Sequence, residues 1–396
     1  MTMPQWDIVI IGAGIHGAGL AQAAAAAGYH TLLLEQYAEP ALGTSSKSSK
    51  LIHGGLRYLE SGEFALVREC LRERRLLLKN APHLVSMSRF HIPVYRDTSR
   101  SAWTIRLGLG LYSLFSRQGF HRLPRSKWGL LDGLKQQNLQ TVFSYYDAQT
   151  DDALLTRAVL ASAQSLGAEL RYSSRVVSAV PTESGLRLHT DDGGQMTEVT
   201  ARLVFNASGP WVAEVHRRLL QHCDSTSNFE VSLVQGAHIV LPTAVKHAYY
   251  LEAPQDKRAV FVLPWREQTL VGTTETEFSG DPAEVAPRPQ EIDYLLAVYR
   301  HYFSARRQQA FDREDVVDSF AGLRVLPAGD GEAFGKSRDT VFVADNERAP
   351  RLVSILGGKL TAYRATAEKL VERVRHYLPK REPRADTREL RLPVVE

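Results

Sequence analysis

Residues 6–19 read WDIVIIGAGIHGAG, and this stretch decides the fold. Asp7 to Ile11 is a short, almost wholly apolar run rich in Ile and Val, the pattern of a strand buried on both faces. Gly12, Gly14 and Gly17 follow it as G-x-G-x-x-G, and the alanine-rich segment from Ala18 to Ala27 predicts a helix. A second strand, His30 to Leu34, ends in Glu35, about 20 residues beyond the glycines. Each glycine is there for a physical reason. Gly12 makes the tight turn, Gly14 lets backbone approach a pyrophosphate, and Gly17 lets the helix pack on the strand. The helix N-terminus then faces phosphate with its positive end, and the Glu35 carboxylate can accept ribose hydroxyls. Strand, turn, helix, strand and acid in this order predict a dinucleotide site.

The pattern alone does not separate FAD from NAD. Residues 44–60, TSSKSSKLIHGGLRYLE, bear on that choice. A dinucleotide lying extended across its domain needs donors beyond the first turn, and Thr44, Ser45, Ser46, Ser48 and Ser49 are expected to supply some. Gly54 and Gly55 would let backbone pass close to a flat ring. Such Ser/Thr-rich runs are otherwise solvated loops, yet LIHGGLRYLE mixes buried-looking and charged residues as no solvated linker needs. FAD is the expected cofactor.

Bulk properties narrow the rest. The 396 residues fit two domains sharing an interface. A formal charge of +4 and a pI near 8.9 suit a small anionic substrate or an acidic membrane surface, and no basic stripe or motif points to nucleic acid. Cys70 and Cys223 form no C-x-x-C or metal-spaced pattern, so no metal is expected and a reducing cytoplasm is the expected compartment. No basic, then apolar, leader opens the sequence, and no apolar run reaches the roughly 18 residues of a spanning helix. Any membrane contact is expected from the side, on the cytoplasmic face of the inner membrane. Residues 101–127 combine Trp, Leu, Ile and Phe with flanking arginines, which fits an interfacial helix and equally a helix packed inward.

Further motifs extend the reading: GAGIHGAG (12–19), LLLKNAPHLV (76–85), VFNASGPWV (204–212), QGAHIVLP (235–242), FVLPWREQTLVGTTETE (261–277), AGLRVLP (321–327) and SILGGKLTAYR (354–364). In this order, with 44–60, they resemble the FAD-dependent, quinone-linked glycerol-3-phosphate dehydrogenases, with glycerol-phosphate oxidases as close relatives. The resemblance implies an α/β fold: a Rossmann-like FAD-binding domain with a β-rich substrate domain, as in D-amino-acid oxidase. It implies FAD-binding segments 1–90, 145–228 and 320–396, and substrate segments 91–144 and 229–319. Cofactor contacts are implied at Gly12, Gly14, Ile15, His16, Gly17, Glu35, Gln36, Thr44, Ser45, Ser46, Ser49, Leu51, Ile52 and Gly54. They are implied again at Val176, Ala207, Ser208, Gly209, Trp211, Gly357, Gly358, Lys359, Leu360 and Thr361.

For the reaction, Arg57 and Arg324 match positions that hold substrate phosphate, and Tyr58 and Thr274 match nearby hydrogen-bonding positions. Two arginines inside apolar, glycine-containing motifs are hard to explain as surface residues. His238 is the expected base and His53 a residue near the flavin, both being imidazoles that titrate near neutrality. Lys359 and the Gly357–Gly358 turn would stabilise charge appearing on the ring. The implied reaction is oxidation of sn-glycerol 3-phosphate to dihydroxyacetone phosphate, with quinone or another acceptor taking the electrons. A flavin oxidase of another hydroxy or amino acid, and a noncatalytic flavin-binding relative, stand as alternatives. Three positions depart from the usual pattern: Gln235 replaces a common lysine, Ser208 a threonine and Glu275 an aspartate. Family members continue for about another hundred residues into a helical domain, which leaves acceptor contacts and a homo-oligomer open. The basic stretch from Lys380 to Arg391 is expected to be solvated.

Overall fold

The strand Trp6–Ile11 lies at the centre of a mixed sheet, with Gln195–Asn206 on one side and Thr31–Leu34 on the other, both parallel to it. The computed structural model describes residues 5–223, 225, 227–303, 311–328 and 340–395 and, of Arg57, the backbone alone. Leu352–Leu356 and Glu169–Arg171 extend the sheet in parallel, and Val341–Ala344 closes one edge antiparallel. Register aligns Ile11 with both Leu34 and Asn206, and Asn206 with Ser354. The carboxyl ends of four strands therefore form one edge, where open α/β sheets bind ligands.

The helices are α1 (Ile15–Ala26), α2 (Phe64–Asn80), α3 (Ala102–Ser116), α4 (Asp152–Ser165), α5 (Val212–Leu220), α6 (Pro289–Phe303) and α7 (Tyr363–Val374). Apart from His16, every residue of α1 is buried, and the helix packs against α4 and α7 in the largest apolar cluster. Its small side chains permit this. A Cβ on Gly17 would fall 1.8 Å from the Gly12 carbonyl oxygen, and one on Gly19 would fall 2.8 Å from the Tyr363 ring. Gly17 thus serves helix–turn packing, as its place in the motif predicts.

A second, largely antiparallel sheet runs in the order Thr276–Phe278, Val231–Leu241, Gln268–Gly272, Ala259–Trp265, Ala248–Glu252, Val85–Tyr95, Leu139–Thr150 and Leu51–Ile52. Asp318–Pro327 pairs with Val231–Leu241 along ten residues, setting Arg324 opposite Val234 and Phe320 opposite His238. The strands Val85–Tyr95, Leu139–Thr150 and Asp318–Pro327 cross the expected boundaries at 90, 144 and 319. Each of these strands runs unbroken through its position.

The basic C-terminal stretch keeps its charged side chains in solvent as expected, while its backbone is laid against the fold. Arg381 pairs with Asp7, Arg384 N–H donates to the Ala26 carbonyl, and Leu392 N–H donates to the Asn80 carbonyl. Gly28 is left without a Cβ just where the Glu382 carbonyl passes, 2.2 Å from where that atom would sit. The Arg384 side chain donates to the Leu166 carbonyl at the end of α4, while Arg388 stays on Asp386 in its own stretch.

Candidate active site

A cavity of about 780 Å³ runs along the carboxyl edge of the first sheet and under the second. The glycine turn forms one wall. Gly12 has φ +102°, and a Cβ there would lie 2.7 Å from the Ala207 carbonyl oxygen. Glu35 is buried at the end of its strand and accepts from Ala13 N–H at 2.6 Å and Tyr37 N–H at 3.0 Å. Burial raises its pKa while those amides lower it, so the carboxylate is braced before any ribose hydroxyl reaches it.

The loop 44–50 forms the floor, and its hydroxyls serve differently from the expectation. Thr44 donates to the Leu323 carbonyl, Ser46 to the Gly43 carbonyl, and Ser48 to Asp152, while Ser49 bonds His238 Nε2 at 2.9 Å. Ser45 Oγ accepts Ile15 N–H at 2.9 Å, which leaves its proton free to donate into the cavity. Beneath the loop, the fully buried Asp152 accepts from Lys50 Nζ at 2.5 Å and from Ser48 N–H at 2.9 Å. Most of the polar run thus builds the loop itself, because a chain without regular structure must still satisfy its backbone and charges.

Of the expected cofactor residues, Gly12, Gly14, Ile15, His16, Glu35, Gln36, Thr44, Ser45, Ser49, Leu51, Val176, Ala207, Ser208, Gly209 and Trp211 line the cavity. So do Gly357, Gly358, Lys359, Leu360 and Thr361. Gly17, Ser46, Ile52 and Gly54 do not. Ile52 pairs with Ala148 in the second sheet. A Cβ on Gly54 would meet Leu71 and the Tyr112 hydroxyl, each at 2.7 Å, and one on Gly55 the Tyr58 ring at 2.1 Å. Protein packing by itself requires both glycines.

His238 lines the cavity beside Ser49 and stacks on Phe320 at 5.0 Å. Its ring occupies the space a side chain at Gly272 would need, 2.0 Å from that Cβ position. Burial, with Arg324 and Lys50 nearby, lowers its pKa to about 3. His53 donates its backbone N–H to Thr361 Oγ1 at 3.1 Å and faces Phe261 edge-on. The Lys359 ammonium sits 3.6 Å over the centre of the Tyr58 ring. Two buried nitrogens on this one cavity, His16 Nδ1 and Lys359 Nζ, have no hydrogen-bond partner among the described residues, which suits a polar guest.

A side cavity of about 90 Å³ opens beside His53, Tyr58 and Arg324. Here Glu275 accepts from Arg324 Nη1 at 2.6 Å, and its other oxygen lies 3.7 Å from Arg258 Nη1. Arg258 escaped the sequence reading because QDKRAVF looks like an ordinary polar turn entering a strand. Thr274 borders this cavity, but its hydroxyl accepts Ala237 N–H and donates to the buried Glu291, so its hydrogen bonds serve the scaffold. Gln235, at the position where lysine is common, donates to the same Glu291. The Arg57 side chain lies outside the described residues, as do any contacts it makes. Among the described residues no group of three or more His, Cys, Asp or Glu is arranged to hold a metal.

Residues 7–364 match the model of the family described as FAD dependent oxidoreductase. The chain belongs to this family of flavoenzymes. FAD is therefore its cofactor, and it fits the cavity: the glycine turn and the N-terminus of α1 would take the pyrophosphate, Glu35 the ribose, and the orphaned nitrogens the flavin end. Among relatives of this FAD-dependent oxidoreductase, the glycerol-3-phosphate dehydrogenase of Pseudomonas aeruginosa is 40% identical over 371 residues, covering 92% of this chain and 70% of the relative. The D-erythritol 1-phosphate dehydrogenase of Brucella abortus is 39% identical over 386 residues, covering 94% and 74%. The crystal structure of glycerol-3-phosphate dehydrogenase from Bacillus halodurans complexed with FAD aligns with a TM-score of 0.73 and 28% identity, covering 98% of this chain and 68% of that one.

The histidines give the FAD-free enzyme a definite response to acid. Burial lowers His91 and His238 to about 3 and His16 to about 4. From pH 6.5 down to those values the unfolded chain binds more protons than the folded one, so stability is present above pH 6.5 and lost as pH falls. Each fully titrating histidine contributes up to about 1.4 kcal/mol per pH unit. Asp147, raised to about 6 by burial, works in the opposite sense below pH 6 and offsets part of the loss. The urea midpoint of FAD-free protein is expected to fall steadily from pH 7 to pH 5; a flat profile would contradict the three buried neutral imidazoles.

Proposed function

We propose that this flavoenzyme oxidises the secondary hydroxyl of sn-glycerol 3-phosphate to dihydroxyacetone phosphate and passes the electrons to a quinone. The observation that carries this reading is the meeting of Arg324 and Arg258 on the carboxylate of Glu275, beside His53 and Tyr58. These two guanidinium forks, with Glu275 and, 3.4 Å from Arg258 Nε, Asp256 as counter-ions, gather several planar donors on one side of the cavity, and a phosphate dianion is the small ligand that uses such forks best. An amino-acid carboxylate would need only one. The Pseudomonas and Bacillus relatives named for glycerol 3-phosphate support the same substrate.

When bound, FAD would supply the hydride acceptor for the carbinol carbon. The chain's own residues do the rest. Arg324 and Arg258 fix the phosphate, and Tyr58 with Phe261 walls off the carbon chain. His238, neutral in the empty site, takes the hydroxyl proton; the arriving dianion lifts its basicity by offsetting the fields of Arg324 and Lys50. Lys359 and the amides after Gly357 and Gly358 face the end of the cavity where negative charge would gather.

Quinones reside in bilayers, and the outer face of α3 suits a bilayer surface. Trp103, Leu107 and Leu114 are at least two-thirds exposed, at 75%, 67% and 71%. Residues 101–131 carry Arg106, Arg117, Arg122, Arg125 and Lys127 and no acidic residue, the composition that binds anionic headgroups. Among the described residues no helix is long and apolar enough to cross a membrane, so contact through α3 would be lateral.

One experiment tests the reading in two stages. Anaerobic sn-glycerol 3-phosphate is expected to bleach the yellow protein rapidly. Reoxidation by a short-chain quinone is expected to accelerate when phosphatidylglycerol vesicles are present and the protein sediments with them. Protein that dithionite bleaches but glycerol 3-phosphate does not would refute the substrate, and bleaching by a four-carbon polyol phosphate would redirect it. Protein that ignores the vesicles would refute the docking of α3.

A further inference from the structure

Helix α3 has only three buried residues, Leu109, Tyr112 and Ser116. Tyr112 does more than pack. Its hydroxyl accepts Gly54 N–H at 2.9 Å and donates to Asp147 Oδ2 at 2.7 Å. Asp147 is paired through its other oxygen with Arg74 Nη1 at 2.5 Å, and these two side chains are 3% and 1% exposed. A tyrosine, an aspartate and an arginine from three elements thus converge on one backbone amide. Tyr112 also packs in the apolar cluster with Leu71, Leu109 and Tyr145, so its hydrogen bonds act from a fixed ring.

The amide belongs to the residue next to His53. Gly55 then turns with φ +76° and presses on the ring of Tyr58, which carries Lys359 above it. His53 and Tyr58 both line the large cavity and the side cavity. Fixing Gly54 therefore fixes the point from which two cavity-lining side chains diverge. Its other flank is held by the bond from His53 N–H to Thr361, so the segment is pinned on both sides of the cavity.

We propose that Tyr112, buttressed by Asp147 and Arg74, is a positioning residue that sets His53 and Tyr58 for hydride transfer through its hydrogen bond to Gly54. The inference rests on the oxidoreductase reading, not on the identity of the polyol phosphate. Displacing such a segment by a fraction of an ångström is expected to slow the reaction about 10- to 100-fold with little effect on substrate affinity.

The test compares wild type, Tyr112→Phe and Leu109→Ala as purified FAD-loaded proteins. Leu109→Ala removes packing from the same face of α3 and leaves the hydrogen bonds intact. Three quantities are read: the thermal midpoint, the visible flavin spectrum, and the rate and half-saturation of anaerobic reduction by sn-glycerol 3-phosphate. Tyr112→Phe is expected to keep its FAD, shift the visible band and lose saturating rate with half-saturation nearly unchanged. Leu109→Ala is expected to lose more thermal stability yet keep the wild-type spectrum and rate. The proposal is overturned if Tyr112→Phe matches wild type in spectrum and rate, or if Leu109→Ala slows reduction as much. Should glycerol 3-phosphate fail to reduce even the wild type, the substrate reading falls alone, and the spectra of the two variants still decide the role of Tyr112.

Discussion

Asp152→Ala yields a protein that purifies colourless and melts on the order of 10 °C below the parent. Asp152 is 0% exposed and holds Lys50 Nζ, Ser48 N–H and Ser48 Oγ with its two oxygens. Without it, the Lys50 ammonium keeps only the Ser46 carbonyl and the rings of Trp265 and Phe320, 5.4 and 5.1 Å away. Stranding a buried charge in this way costs about 3–5 kcal/mol. Lys50 also has φ +60°, a left-handed conformation that a lysine adopts at a cost unless its side chain is tied down. The loop 44–50 relaxes, and with it go the Ser45 contact to the N-terminus of α1 and the Ser49 contact to His238. Adding Lys50→Met removes the stranded charge and recovers most of the melting temperature. FAD binding stays lost, because the loop still lacks its anchor at Ser48. Differential scanning fluorimetry and the absorbance ratio at 450 and 280 nm decide the matter, with visible wavelengths characteristic of flavin. A yellow Asp152→Ala protein with an unchanged midpoint would show that the loop holds itself.

Arg324→Gln has its effect on catalysis instead. Loss of one guanidinium from the proposed phosphate site, with Glu275 deprived of its 2.6 Å partner, should lower kcat/KM about 100- to 1,000-fold. Part of that loss comes from Glu275, which would then repel the incoming dianion. The double variant Arg324→Gln with Glu275→Gln is accordingly expected to recover about tenfold over the single one, a non-additivity characteristic of groups in contact. Steady-state kinetics on the four proteins of the cycle measure it. If the two substitutions simply multiply, Glu275 and Arg324 act separately and the shared-carboxylate account is wrong.

The glycine turn, the strand–helix–strand unit and Glu35 were legible in the sequence because each is a local pattern read within about 30 residues. Most of the cavity wall could also be named from its motifs, and the structure brings those residues together across more than 300 positions of chain. What could not be read was the direction of side chains between motifs. Nothing in GGLRYLE says that the missing Cβ of Gly54 makes room for Leu71 and Tyr112. Asp152 looks like one of two acids opening a helix, with Asp151 as the N-cap, and only the fold turns it toward Lys50. The roles of Arg258, Tyr112 and Asp147 have no local signature, since the partners that define them are 17 to 73 residues away. The C-terminal stretch is exposed as its charge composition predicts, but where its backbone docks could not be read, because Asp7, Ala26 and Leu166 lie far away in the chain.

The central strand of the first sheet, residues 6–11, pairs with residues 201–206, which pair in turn with 352–354. On the ribosome this order has a cost in time. At about 5–20 residues per second, the strand made first waits roughly 20–70 s for the last parallel strand beside its neighbour to be synthesised. Throughout that interval α1, alanine-rich and apolar on every side, lacks the α7 face against which it is finally buried. Pairings so distant in sequence also form slowly once the chain is complete. The discontinuity that gathers a flavin site from three stretches of chain thus makes the nascent protein a client for whatever shields apolar surface in the cell, and makes its yield, more than its finished stability, the quantity most sensitive to the rate of translation.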